Sequence, residues 1–237
     1  MAEVTPEFLA MGLVWFVAFL FSTTVHEAAH ALAAWRLGDP TAYLGGQVTL
    51  NPLPHVQREP IGTVAVPIVS YLFAGWMMGW ASAPYDPWWA DRHPRRAAWM
   101  ALAGPAANLL LLVGTGLLIR LGTAAEVLAP PATVTFTHVV EATADGGLGA
   151  LAPVLSILFT LNLLLLVFNL LPLPPLDGSG VLPLVLPERV ALRYQEFMRQ
   201  PTWSLLGIFV AWKVIGEIFW PVFVFALNLL YPGLRYG

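Results

Sequence analysis

The densest chemistry in the chain lies at His26-Glu27-Ala28-Ala29-His30. The run matches H-E-x-x-H. At 3.6 residues per turn, two histidines four apart share one helix face, so both imidazoles can bind a single metal ion. Glu27 then stands beside them as a base for a metal-activated water. The bland alternative is a helix that packs two histidines and a glutamate, which is costly if that helix lies in a bilayer. A catalytic zinc site needs a third protein ligand. The chain has no cysteine, so that ligand must be nitrogen or oxygen. Asp177 is the candidate, because it follows an uncharged run in Asn169-Leu170-Leu171-Pro172-Leu173-Pro174-Pro175-Leu176-Asp177-Gly178. Three prolines break the helix there and Gly178 frees the backbone, so the carboxylate can turn back into the bilayer. An Asp-Gly turn at the membrane surface is the alternative. Glu217, in the last apolar run, has Lys213 four residues earlier as its expected partner.

The elements that must carry these residues are apolar. Of 237 residues, 58% are hydrophobic and 11% charged, and the mean hydropathy is +0.71. Soluble domains carry roughly 25% charged residues, so composition points to an integral membrane protein and excludes a soluble enzyme. With a net charge of −3 and no basic tract, no nucleic-acid partner is expected. Five apolar stretches, about 8–36, 62–82, 95–121, 150–172 and 203–230, approach the roughly 20 residues of a crossing. The acidic start of the chain does not resemble a signal peptide. The stretch 62–82 is interrupted by Pro67, Gly75 and Gly79 and carries Tyr71, Trp76 and Trp80, which favours a re-entrant or shallow segment. Trp35, Trp88, Trp89 and Trp203 read as headgroup-level anchors. Tyr43 to Leu50 shows a short strand-like pattern around Gly45-Gly46. It is either a surface hairpin or an exposed edge on which an extended peptide pairs, with Gly46, Val48 and the loop residue His55 as candidate substrate contacts.

Three motifs together resemble the site-2 protease family of intramembrane zinc metalloproteases: HEAAH, Ala103-Gly104-Pro105-Ala106-Ala107-Asn108, and the segment Phe168 to Gly178. Leu50-Asn51-Pro52-Leu53-Pro54-His55 and Gly79-Trp80-Ala81 resemble its compact prokaryotic branch, which lacks PDZ and CBS modules. The likeness runs from about residue 20 to 180. It implies one Zn2+ held by His26, His30 and Asp177, with Glu27 as catalytic acid/base and Asn169 holding substrate or oxyanion. Asn108 is expected to pack and bond between helices, since Gly104 and Ala107 allow close approach. Ser179 follows the Asp-Gly pair where a second glycine is common in the family. The implied reaction is hydrolysis of a peptide bond in or near a transmembrane segment of a membrane-protein substrate. A metal-ion transporter or channel using the same cluster is the competing function, and Glu27 separates the two, since ion transport does not need it.

Ligand depth then sets the topology. The histidines lie near the end of the first helix, and Asp177 follows the fourth stretch, so the residues between must make an odd number of crossings. The broken stretch 62–82 is the one that does not cross. Arg36, Arg58, Arg92, Arg95, Arg96, Arg189, Arg193 and Arg199 then share one side, against Arg120 and Arg235. Five crossings would instead split the arginines six against four, and the positive-inside rule prefers the sharper asymmetry. The expectation is an all-α polytopic membrane protein of the cell membrane. It is one domain over 1–237, with a catalytic core at about 8–180 and a C-terminal helix at 203–230. About four transmembrane helices are joined by a re-entrant or shallow segment and a short β-hairpin-like loop near the site. The N-terminus is outside and the active site nearer the cytoplasmic face.

Overall fold

The computed structural model describes residues 5–144, 149–198 and 200–236. Arg199, one of the eight arginines counted above, lies outside them. Among the described residues, four helices are long and apolar enough to cross a membrane: α1 (Pro6–Leu37), α6 (Pro94–Ala124), α7 (Leu151–Asn169) and α10 (Pro201–Leu230). Between α1 and α6 lie the short helices α2 (Thr41–Leu44), α3 (Leu53–Arg58), α4 (Val66–Ala74) and α5 (Pro87–Arg92). After α7 come α8 (Asp177–Val181) and α9 (Glu188–Met198).

Local chemistry fixes the ends of α1. The Thr5 hydroxyl accepts from the Phe8 amide at 3.2 Å, Pro6 occupies the first turn, and Gly38 closes the helix at φ 107°. At about 1.5 Å per residue, the helix outruns a hydrocarbon core of about 30 Å, which leaves His26 and His30 toward its C-terminal end. Helices α1, α6 and α7 pack against one another, and α10 packs against α7. Gly207 lets α10 close on the proline turn, where any side chain would strike the Pro174 carbonyl.

The stretch 62–82 is a hairpin that returns to the side on which it starts, as a re-entrant or shallow segment would. A π-helical turn at Ile61–Ala65 runs into α4, together far shorter than a crossing. Its descent is marked by the Tyr71 hydroxyl donating to the Phe8 carbonyl at 2.7 Å, beside the start of α1. Gly75, at φ 76°, reverses the chain. Residues 77–86 return along α4 without helix or strand pairing, pinned by the Met78 amide on Ser70 Oγ (2.9 Å) and the Trp80 amide on the Gly62 carbonyl (3.0 Å). Buried Asp39 clips the top of this hairpin, accepting from the Thr41 and Asp86 amides at 2.9 and 2.8 Å.

Three expectations need correction. Tyr43–Leu50 is not a strand. Asp39 starts a helical turn at Thr41, and the amides of Leu44, Gly45, Gly46 and Gln47 all bond back to carbonyls of residues 40–43, leaving no strand edge. The small antiparallel sheet lies elsewhere, pairing β1 (Leu128–Ala129) with β2 (Glu141–Ala142). Lys213 makes no ion pair with Glu217 among the described residues; its ammonium lies 5.8 Å from the Phe209 ring centroid. Trp89 is buried against Ala90 and Ala97 rather than anchored at a headgroup level, whereas Trp88 is 76% exposed.

Candidate metal centre and catalytic cleft

His26 and His30 turn the same edge toward one point. Their Nε2 atoms are 3.0 Å apart. Asp177 completes the triangle, with Oδ2 at 3.1 Å from His26 Nε2 and Oδ1 at 3.3 Å from His30 Nε2. This is the one group of three or more potential metal ligands among the described residues. Asp177 reaches it because it opens α8 directly after the proline turn. Gly178 allows the fit, since a side chain there would collide with the carbonyls of Leu170 and Leu171. Gly104 plays the matching part on α6. A Cβ at that position would overlap Nε2 of both histidines, so the glycine lets α6 back directly onto the imidazoles.

The far edge of each ring is held by an acceptor. His30 Nδ1 donates to the Met100 carbonyl at 2.7 Å, and His26 Nδ1 to Asn108 Oδ1 at 2.6 Å. Asn108 Nδ2 donates to Asn162 Oδ1 at 2.9 Å. Asn162 Nδ2 in turn donates to the Leu158 carbonyl at 2.8 Å and to Ser22 Oγ at 3.0 Å. A backbone carbonyl can only accept, so the orientation of each amide follows in sequence from Leu158. His26 therefore carries its proton on Nδ1 and keeps an Nε2 lone pair for a metal, and Met100 imposes the same tautomer on His30. Both asparagines are fully buried. Asn108 was legible only as an interhelical residue, and Asn162 carries no sequence signal because its partners are far away in the chain.

A cleft of about 480 Å³ opens over this cluster, and Glu27, His30, Asp177, Ser82 and Tyr194 are among its lining residues. The Glu27 carboxylate has no hydrogen-bond partner among the described residues. The returning arm of the 62–82 hairpin supplies one wall. Residues 81–85 all line the cleft, and none of their backbone amides or carbonyls makes a hydrogen bond among the described residues. This run is pinned from behind: Ser82 Oγ donates to Glu59 Oε1 at 2.7 Å and accepts from Arg58 Nε at 3.2 Å.

The other expected site residues lie outside this cleft. Gly46 is exposed, Val48 is half-buried, and neither lines it. His55 is 2% exposed and its Nε2 bonds the Thr49 carbonyl at 3.1 Å, so it holds its own loop together. Asn169 ends α7, is half-buried, and makes no side-chain hydrogen bond among the described residues; it does not line the cleft.

The model of peptidase family M50 matches residues 14–212. The chain belongs to this family. M50 is the site-2 protease family that the motifs resemble, so the protein is a peptidase and the ion-transport reading loses its ground. Among M50 relatives, the chain is 32% identical over 209 residues to the Bacillus subtilis protein named "Putative zinc metalloprotease YwhC", covering 87% of this chain and 84% of that one. It is 30% identical over 164 residues to "Putative zinc metalloprotease Rip2" of Mycolicibacterium smegmatis, with 69% of this chain and 54% of that protein covered. A Mycobacterium tuberculosis protein of the same name is 31% identical over 171 residues, with 72% and 56% covered. The matches thus span about half the length of the Rip2 proteins. No solved structure matches the chain.

Proposed function

We propose that this M50 peptidase is a zinc-dependent intramembrane endopeptidase, cutting a peptide bond in or near a transmembrane segment of a membrane-protein substrate. The observation that carries the proposal is the convergence of two imidazoles and a carboxylate on one point beneath a cleft that Glu27 lines. The residues fit zinc. Bonds of about 2.0–2.1 Å in a tetrahedron place ligand atoms roughly 3.3–3.4 Å apart, close to the spacings of His26, His30 and Asp177. Asp177 Oδ2 is also buried without a hydrogen-bond partner, an orphan that a cation satisfies. Zinc held there would supply Lewis acidity toward a water and the scissile carbonyl.

The chain's own residues supply the rest. Glu27, free of partners, takes a proton from a water in the cleft and returns it to the leaving amine. Asn108 and Met100 hold the imidazoles in place through the reaction. The position of Asn169 gives no support to a role in holding substrate or oxyanion. A transmembrane helix hides its peptide bonds, so the substrate must unwind before water can attack. The free amides of Ala81, Ser82, Ala83 and Tyr85 and the free carbonyls of residues 81–85 suit an unwound, extended stretch of substrate. They take over the strand-pairing role first expected at 43–50. Unpaired backbone at this depth is tolerated because it lines a cavity.

For orientation, α1 and α7 both end on the side of the cleft, and Arg36, Arg58, Arg92, Arg95, Arg96, Arg189 and Arg193 share that side by connectivity. Arg120 and Arg235 lie at the other. The positive-inside rule makes the cleft side cytoplasmic and puts the N-terminus outside. The test of the function is Glu27→Gln against wild type on a membrane-anchored substrate, with metal content measured for both. Lost cleavage with retained zinc is the expected result; undiminished cleavage overturns the reading.

A further inference from the structure

Two side-chain atoms among the cleft-lining residues are buried and lack a hydrogen-bond partner: Asp177 Oδ2 and the Tyr194 hydroxyl. The metal accounts for the first. The second sits on α9, on the wall formed after the ligand-bearing turn. Burial pushes the Tyr194 phenol up, while the Ser179 hydroxyl beside it pulls the other way, which places the phenol near the chain two residues past Asp177. Ser179 is itself committed, donating to the Leu176 carbonyl at 2.7 Å. A hydroxyl withdrawn from water without a hydrogen bond is a cost to the fold, and a catalytic role is one reason for such a group to be kept beside a cleft.

Peptide hydrolysis requires a donor for the carbonyl oxygen as it gains negative charge. Asn169 does not line the cleft, and the free amides of Ala81, Ser82, Ala83 and Tyr85 are assigned above to pairing with the substrate backbone. His30 Nδ1 is taken by Met100 and Ser82 by Glu59. Tyr85 is 44% exposed, so its hydroxyl is not withdrawn from solvent. Resting on the peptidase reading above, we infer that Tyr194 is a catalytic residue whose phenolic hydroxyl donates a hydrogen bond to the scissile carbonyl oxygen of the substrate. A shift about χ1, which moves the oxygen as rotation about χ2 does not, would carry the hydroxyl from beside Ser179 into the cleft that the residue already lines. The phenol stays neutral and gives up no proton, so it stabilises charge while Glu27 handles the protons.

The test is Tyr194→Phe in the full-length protein, followed by kcat, KM, melting temperature, zinc content and affinity for a peptide carrying a phosphinate in place of the scissile amide. Removing one oxyanion donor costs about 100-fold or more in kcat. The expected result is a loss of that order with KM within about threefold. Phosphinate affinity falls in parallel, zinc content stays unchanged, and the melting temperature is no lower than wild type, because an unsatisfied group has been removed. A structural role would instead lower the melting temperature and leave the balance between phosphinate and substrate binding unchanged; that result overturns the inference, as does a kcat within about twofold of wild type. Glu27→Gln in the same assay separates the two claims. If wild type cleaves, Glu27→Gln does not, and Tyr194→Phe is fully active, only the Tyr194 assignment falls. If wild type and Glu27→Gln behave alike, the peptidase reading falls and takes this one with it.

Discussion

The floor and the walls of the cleft are built on opposite rules. On the floor, the polar atoms facing away from the proposed metal are paired: His30 to Met100, His26 to Asn108, Asn108 to Asn162, and Asn162 to Leu158 and Ser22. On the walls, the backbone of residues 81–85, the Glu27 carboxylate and the Tyr194 hydroxyl are left without partners. The difference separates groups that must stay still from groups that wait for a substrate. Ligands need fixed tautomers and fixed distances, so their surroundings are over-determined. A substrate-binding wall needs open hydrogen-bonding capacity, which a bilayer-embedded chain tolerates only beside a cavity.

Breaking the floor should cost most. Gly104→Ala pushes a methyl group into both Nε2 positions, and we expect loss of bound zinc and of all measurable cleavage, read by metal analysis and a substrate assay. Asn108→Leu leaves the ligands present but unsupported. Zinc affinity should fall about 10–100-fold, measured by competition with a chelator. Asn162 is also left buried with an unpaired carbonyl, costing about 1–3 kcal/mol of stability by denaturant or thermal unfolding. The walls should respond more gently and in a different parameter. Ala83→Pro deletes one wall amide; losing a hydrogen bond of about 1 kcal/mol should raise KM about fivefold and leave zinc content unchanged. Smallest of all, Val48→Ala lies outside the cleft and should change kcat/KM less than about twofold. A large effect there would restore the 43–50 segment as a substrate edge.

What the sequence revealed follows the range of the interaction concerned. His26 and His30 were legible because their relation is local, four residues along one helix. Asp177 was legible because charge is scarce and prolines surround it. That 62–82 does not cross showed in Pro67, Gly75 and Gly79, although how far the hairpin runs along α1 depends on Tyr71 reaching Phe8 across 63 positions. The strand was assigned to the wrong place. Tyr43–Leu50 carries the strand-like pattern, yet Asp39 turns its start into a helical turn. The residues that do run beside the site, Ala81-Ser82-Ala83-Pro84-Tyr85, carry no strand pattern, and they are held through Ser82 on Glu59 and, at their flanks, Trp80 on Gly62 and Asp86 on Asp39. Asn162 and the Met100 carbonyl were invisible for the same reason, since their roles exist only after α1, α6 and α7 have packed. Tyr194 likewise becomes notable only once its hydroxyl is seen to be buried and unmatched.

The central claim is that His26, His30 and Asp177 hold one catalytic zinc. Zinc stoichiometry of the purified full-length wild type, Asp177→Ala and Glu27→Gln tests it most directly, with cleavage followed on the same samples. The account predicts one zinc per chain and cleavage for wild type, one zinc without cleavage for Glu27→Gln, and neither zinc nor cleavage for Asp177→Ala. An Asp177→Ala protein that keeps its zinc and cuts at the wild-type rate would contradict it.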